Sequence, residues 1–422
     1  MLNHPLFKTL RILKGNARAC VVAEPIWGIS YNLYIPYASL FMVALGLSDA
    51  QIGMIASISL VIQTITALLG GVITDKLGRR LVTFLVDLIS WAIPCLILAF
   101  SQNVYYFTAA AIFNSFYRVA YTSWTCLMVE DADHDLLVDM YAWIYIFAIT
   151  SAFISPVTGW LVNIYGLVPA MRFIYIISFV LFTAKLAYLF LTSTETAHGL
   201  VRMQITRYQS IFDLLAEYKT VIKILLKSPQ TLYTVGLMVV MNITTTITNT
   251  FWGIIAVQKI QIPEAHIAYF PFIRSLVQLA FFFIILPRIS HFHFKKPLFA
   301  GFLTFIVGQI ILVLVPEKNI FLLVLSAMID AFSVAMVGPQ VDKLTVVTVD
   351  PDERARIMSM IYAFTLIISS PFGWIAGELS SLDKSFPFVL NVLVYGVGLV
   401  FTILAARSAD KHKGEVAITV GQ

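Results

Sequence analysis

Six ionisable residues stand inside long apolar runs of this chain: Glu24, Asp87, Arg118, Lys185, Arg274 and Asp330. A charge at membrane depth costs about 3 kcal/mol or more, so each is a candidate for holding a proton, an ion or another charge. Glu24 stands just before Pro25, with Trp27, Tyr31 and Tyr34 following on the same stretch. A carboxylate among aromatic rings is suited to trading a proton; the other reading pairs it with Arg18 or a helix end at the surface. Arg118 falls near the middle of its run, as a charge partner for a proton carrier or as an internal brace. Arg274 and Asp330 fall at similar depths of their own runs, which predicts an ion pair, either fixed or broken by substrate or proton. Asp87 and Lys185 lie nearer the ends of theirs, where a structural role is expected.

The runs that must position these groups dominate the composition. Of 422 residues, 59% are hydrophobic and 12% charged, where soluble domains carry about 25% charged residues. An all-α membrane protein follows, and at roughly 20 residues per span the length accommodates about twelve helices. The first is expected from Ala19 to Leu45 and the fourth from Tyr105 to Val129. No cleavable signal is expected ahead of the first. A polar connection, 192–228, divides the chain into bundles 1–191 and 229–422, and 210–227 within it carries the period of an amphipathic surface helix. Arg172, Lys259, Lys318 and Lys384 fall on one side of the expected spans and Arg118, Lys185 and Arg274 inside them; the rest of the 28 lysines and arginines lie on the other side. That asymmetry places both termini in the cytoplasm. Asp49-Ala50-Gln51-Ile52 and Glu264-Ala265-His266-Ile267 stand at the same offset as Ser155-Pro156 and Ser370-Pro371, which points to a duplicated six-helix unit.

Between the second and third runs lies a charged, glycine-punctuated stretch: Gly70, Gly71, Asp75, Lys76, Gly78, Arg79 and Arg80. It is expected to form a tight turn at the membrane surface. The spacing resembles the signature loop of the major facilitator superfamily. The resemblance implies twelve transmembrane helices in two six-helix halves and secondary transport by alternating access. It also implies that Gly71, Asp75, Lys76, Gly78, Arg79 and Arg80, with the acidic turn at Glu130 and Asp131, help lock one access state. At the same offset in the second half only a basic remnant survives: His291, His293, Lys295 and Lys296. Arg118 resembles the lone arginine on the fourth helix of proton-coupled drug antiporters, without the Gln and Gly that usually follow. Glu24 resembles by position their proton-titrating acid, and Asp330 is the second proton-coupling candidate. Ser155, Pro156 and Gly159 resemble a degraded antiporter motif of the fifth helix.

Hydrogen-bonding and aromatic residues crowd three of the runs. Trp27, Tyr31 and Tyr34, then Asn114, Tyr117, Tyr121 and Trp124, then Asn242, Asn249 and Trp252 are the candidate cavity residues. Lipid-facing positions have no use for so many polar groups. A cavity with aromatic walls suits a small amphipathic organic solute. With acids and bases both present, cations and anions remain equally open. Efflux against protons leads; proton-coupled uptake of a nutrient or organic anion and lipid flipping by the same fold are the alternatives. No phosphate-binding glycine loop, nucleophile–base pair or metal-ligand cluster is present in the sequence. An enzyme, a cofactor and a nucleic-acid partner are therefore not expected. Cys20, Cys95 and Cys126 are expected as free core thiols. A monomer in the inner (plasma) membrane, contacting lipid and protons besides its substrate, is the expected setting.

Overall fold

The computed structural model describes residues 5–210, 229–289, 294–347 and 354–420. Among the described residues every regular element is helical. Ten helices among the described residues are long and apolar enough to cross a membrane, from Asp49–Leu77 to Phe386–Arg407. Two further apolar stretches match expected spans but are broken. Gly15–Tyr34 carries Arg18, Glu24 and Pro25 and gives way at Ile35–Tyr37, where Pro36 offers no backbone donor, before Ala38–Ala44 resumes. The expected fourth helix is two pieces, Val104–Asn114 and Tyr117–Val129. The break at Ser115 follows from local competition for the backbone: the Ser115 hydroxyl meets the Ala111 carbonyl at 2.7 Å, and the Asn114 amide donates to the Ser90 carbonyl at 2.8 Å. The expected amphipathic helix at 210–227 lies outside the described residues but for Ser210, and His291 and His293 lie wholly outside them.

Contacts divide the chain into two units. The first comprises Met1–Leu47, Ile58–Ala216 and Glu264–Phe272; the second comprises Ser48–Ser57, Glu217–Pro263 and Ile273–Gln422. In the first, a core of Trp124, Leu127, Met128, Met140 and Trp143 packs on Leu13, Ala17 and Cys20 at one end of the bundle. The degraded fifth-helix motif packs tightly too. Ser155 and Thr158 hydroxyls donate to the carbonyls of Asn32 and Leu33 at 3.1 and 2.6 Å. A methyl group on Gly159 would stand 2.4 Å from the Ala265 carbonyl oxygen, so only glycine permits that approach. In the second unit Phe281 packs with Ala335 and Met336, and Tyr395 stacks on Phe305 at 4.4 Å.

Among the described residues three short turns of wider, π geometry interrupt the spans: Leu88–Ala92, Ile255–Lys259 and Phe281–Ile285. Such turns often mark functional positions. The first begins directly after Asp87 and contains Trp91.

Candidate functional site

The six charges predicted at membrane depth separate into clusters, one pair of which the sequence did not bring together. Lys185, on Leu167–Thr192, reaches Asp87, on Arg79–Asp87, at 3.7 Å; their side chains are 5% and 8% exposed, so this is an ion pair sealed in the first unit. Glu24 lies within electrostatic range of both, as does Cys20 one turn before it. Glu24 makes no direct bond of its own among the described residues, and its expected alternative partner, Arg18, does not reach it. Two carboxylates thus share one lysine.

One helical turn beyond Glu24 begins an aromatic cluster. Trp27 stacks on Tyr31 at 5.2 Å, and the edge of Trp91 meets Trp27 at 5.1 Å and Tyr31 at 5.9 Å. Tyr34 joins Tyr31 and Tyr175, while Tyr117 packs on Trp91 at 5.8 Å and donates to Gln63 at 3.2 Å. Arg118 sits over the Tyr117 ring at 4.9 Å. Trp27, Tyr31, Tyr34 and Tyr117 are thus brought together, with Trp91, Phe182 and Gln63 as members that sequence reasoning missed, while Asn114 turns to the Ser90 carbonyl. Trp124 is elsewhere, in the core at the end of the bundle, and Tyr121 beside it is exposed.

In the second unit Arg274 and Asp330 sense each other but do not close into a direct ion pair. The Arg274 guanidinium lies over the Trp252 ring at 4.7 Å. Asp330 turns instead to Gln309, whose amide donates to it at 3.2 Å. The Gln309 carbonyl accepts from the Asn391 amide at 3.4 Å, and the same amide donates to Thr248 at 3.2 Å. Tyr395 lies within electrostatic range of both charges. Gln309, Asn391 and Tyr395 were missed; a mid-span amide or phenol in an otherwise apolar helix was the available signal. Of the remaining candidates, Asn242 keeps a buried side-chain oxygen with no partner among the described residues, and Asn249 is exposed.

At the charged stretch from Asp75 to Arg80, where a tight turn was expected, the connection is a single residue. Asp49–Leu77 continues through the acid, Gly78 alone breaks the helix, and Arg79–Asp87 begins at once. Gly78 adopts φ 88° and ψ 155°, a conformation open to glycine. Arg79 is buried between Asp75 and Glu130, each at 3.0 Å. Asp75 also receives Arg202 at 2.6 Å, and the backbone N–H groups of Arg79 and Arg80 donate to Glu195 at 2.9 and 3.0 Å. Arg80 donates to the Phe190 carbonyl at 2.7 Å and lies over that ring at 4.1 Å. Lys76 donates to the Thr206 and Gln209 carbonyls. Asp131 meets Asn16 at 3.5 Å, and Gly71 sits within the helix that delivers Asp75. Glu195 and Arg202 follow the sixth predicted span and were not recognised, because nothing in their spacing ties them to residues more than a hundred positions earlier.

The sequence matches the family description "Major Facilitator Superfamily" over residues 26–259. The chain belongs to the major facilitator superfamily. It is a multi-pass membrane protein with the transporter fold of that family. No curated protein is similar enough in sequence to count as a match. Among solved structures, a mutant of the nucleoside transporter NupG aligns with TM-score 0.72 and 16% identity over 93% of this chain and 100% of that one. A POT family transporter in complex with 5-aminolevulinic acid aligns with TM-score 0.71 and 14% identity, over 93% and 96%. The xylose transporter XylE from E. coli aligns with TM-score 0.63 and 14% identity, over 92% and 97%. At these identities the likeness is one of fold.

Proposed function

We propose that this member of the superfamily is a proton-coupled secondary transporter that exports a small amphipathic organic solute from the cytoplasm by alternating access. The observation that carries proton coupling is the half-buried Glu24 beside the buried pair Asp87 and Lys185. With one lysine between two acids, a proton on Glu24 leaves the set neutral at membrane depth. The adjoining Trp27, Tyr31, Trp91 and Tyr117 rings supply an apolar wall for the solute, and Arg118 on Tyr117 is the charge that adjusts it. The Asp75, Arg79, Glu130, Glu195 and Arg202 cluster serves as the conformational lock, and 192–228 as the link between rocking bundles 1–191 and 229–422. The protein works as a monomer in the inner membrane with both termini cytoplasmic.

A second reading, proton-driven uptake, is favoured by one observation: Arg274 has no hydrogen-bonded protein partner among the described residues, as befits a group that holds a polar nutrient. The test is internal pH in proteoliposomes while drugs, sugars, amino acids and organic anions are added outside, with Glu24→Gln alongside. Solute-driven proton movement that Glu24→Gln abolishes supports the proposal, and the direction of solute accumulation under an imposed pH gradient separates export from uptake. Flux of labelled solute without proton movement refutes the coupling.

A further inference from the structure

Arginine carries five N–H donors in one plane, and buried donors are almost always satisfied. Arg274 departs from that rule. Its Nε is fully buried without a partner, and no protein acceptor takes any of its other donors among the described residues. The Trp252 ring at 4.7 Å attracts the cation through its face and leaves the in-plane donors open.

Asp330 is the complement. It is buried, with one oxygen fixed by Gln309; Asn391 holds Gln309 and also donates to Thr248. Helices contributing residues 248, 309 and 391 thereby orient a single carboxylate. Its other oxygen has no protein partner among the described residues. A buried pair serving only as a brace gains most by direct contact, because that is where attraction offsets desolvation. Here the partners stand close enough to interact, yet apart.

We propose that Arg274 and Asp330 form the head-group site for a zwitterionic solute, with Arg274 holding its carboxylate and Asp330 its ammonium group. This rests on the reading of the chain as a solute transporter. A molecule bearing both charges completes both groups without adding net charge to the bundle. A lone anion meets Asp330 and a lone cation meets Arg274, so each is disfavoured by the same residues that welcome the pair. Trp252 and Tyr395 flank the charges and accommodate an apolar body on the solute.

The test is calorimetric binding to the full purified chain in detergent. The probes are the twenty common amino acids, glycine betaine and alanyl dipeptides, and for each binder its decarboxylated amine and its deaminated acid. Zwitterions are expected to bind at least about tenfold more tightly than either matched compound, consistent with losing one charge-assisted bond. Asp330→Asn is expected to weaken the zwitterion about tenfold to hundredfold while tightening the matched acid, and Arg274→Lys to weaken zwitterion and acid together. Misfolding cannot produce the opposite changes expected for Asp330→Asn. If no zwitterion binds, or the acid alone binds as tightly, the proposal is overturned. Counterflow in proteoliposomes separates the two readings: binding without counterflow refutes transport and leaves the site standing. Counterflow of an uncharged solute that zwitterions do not inhibit leaves transport standing and overturns the site.

Discussion

Gly78→Ala tests the helix junction at its tightest point. Alanine at φ 88° and ψ 155° carries about 1–3 kcal/mol of backbone strain. The new methyl would also lie 2.6 Å from Glu195 Oε2 and 2.9 Å from the Met203 sulfur, so the carboxylate must leave. Its bonds to the Arg79 and Arg80 N–H groups, 2.9 and 3.0 Å long, go with it. Those bonds cap a helix start with a negative charge and together contribute about 2 kcal/mol. Glu195→Ala alone therefore costs about 2 kcal/mol, and Gly78→Ala alone about 3–5 kcal/mol. In the double variant the methyl no longer displaces a carboxylate, and the cap is lost once rather than twice. The two changes should fall short of additivity by about 2 kcal/mol. Equilibrium unfolding in mixed micelles of rising SDS fraction, followed by circular dichroism, measures all four corners of the cycle. Additivity within about 0.5 kcal/mol would refute the argument that Gly78 is required to seat Glu195.

Lys185→Met leaves Asp87 buried alone and should destabilise the protein by about 3–5 kcal/mol, whereas Lys185→Met with Asp87→Leu should lie within about 2 kcal/mol of the parent in the same unfolding assay. Ser155→Ala removes one hydrogen bond to the Asn32 carbonyl and should cost about 1 kcal/mol, while Gly159→Leu, forced against the Ala265 carbonyl, should abolish monodisperse elution on size exclusion. Asp383, outside the spans, is held below the usual carboxylate range chiefly by the Lys259 ammonium and then by the Ser385 backbone N–H. Its folded-state pKa is depressed, so its contribution is present above the ordinary carboxylate pKa of about 4 and is lost as pH falls through the folded value. The melting difference between the parent and Asp383→Asn should stay level from pH 7 to about pH 5 and close as pH drops below about 4.

The spans and the family signature were legible because both are written in short-range terms: apolar runs of about 20 residues and a six-position spacing. The buried charges were legible one at a time for the same reason, since a charge in an apolar run announces itself. Their partners were not. Lys185 finds Asp87 across nearly a hundred residues, and Glu195 finds the Arg79 N–H across more, through helix packing that no local period encodes. Similar depth predicted contact between Arg274 and Asp330, yet depth fixes height in the membrane and says nothing of rotation about the helix axis. Rotation is what turns Asp330 to Gln309 and Arg274 to Trp252. The break at Ser115 was hidden likewise, because serine and asparagine inside an apolar run look like cavity lining until their backbone acceptors are seen.

The wide turn at Leu88–Ala92 holds one more residue than an α turn would, so the parts of Arg79–Ala99 before and after it are out of angular phase by about 100°. Asp87 keeps its heading toward Lys185, and Trp91 its heading toward Trp27, only while that surplus residue is present. Deleting any one residue from 88–92 other than Trp91 would leave a span that is still apolar and still long enough to cross a membrane. It would nonetheless swing one of the two side chains away from its partner. At this point of the chain, residue count alone keeps the charge cluster and the ring cluster aligned, and a single-codon deletion should be far more damaging than most substitutions within it.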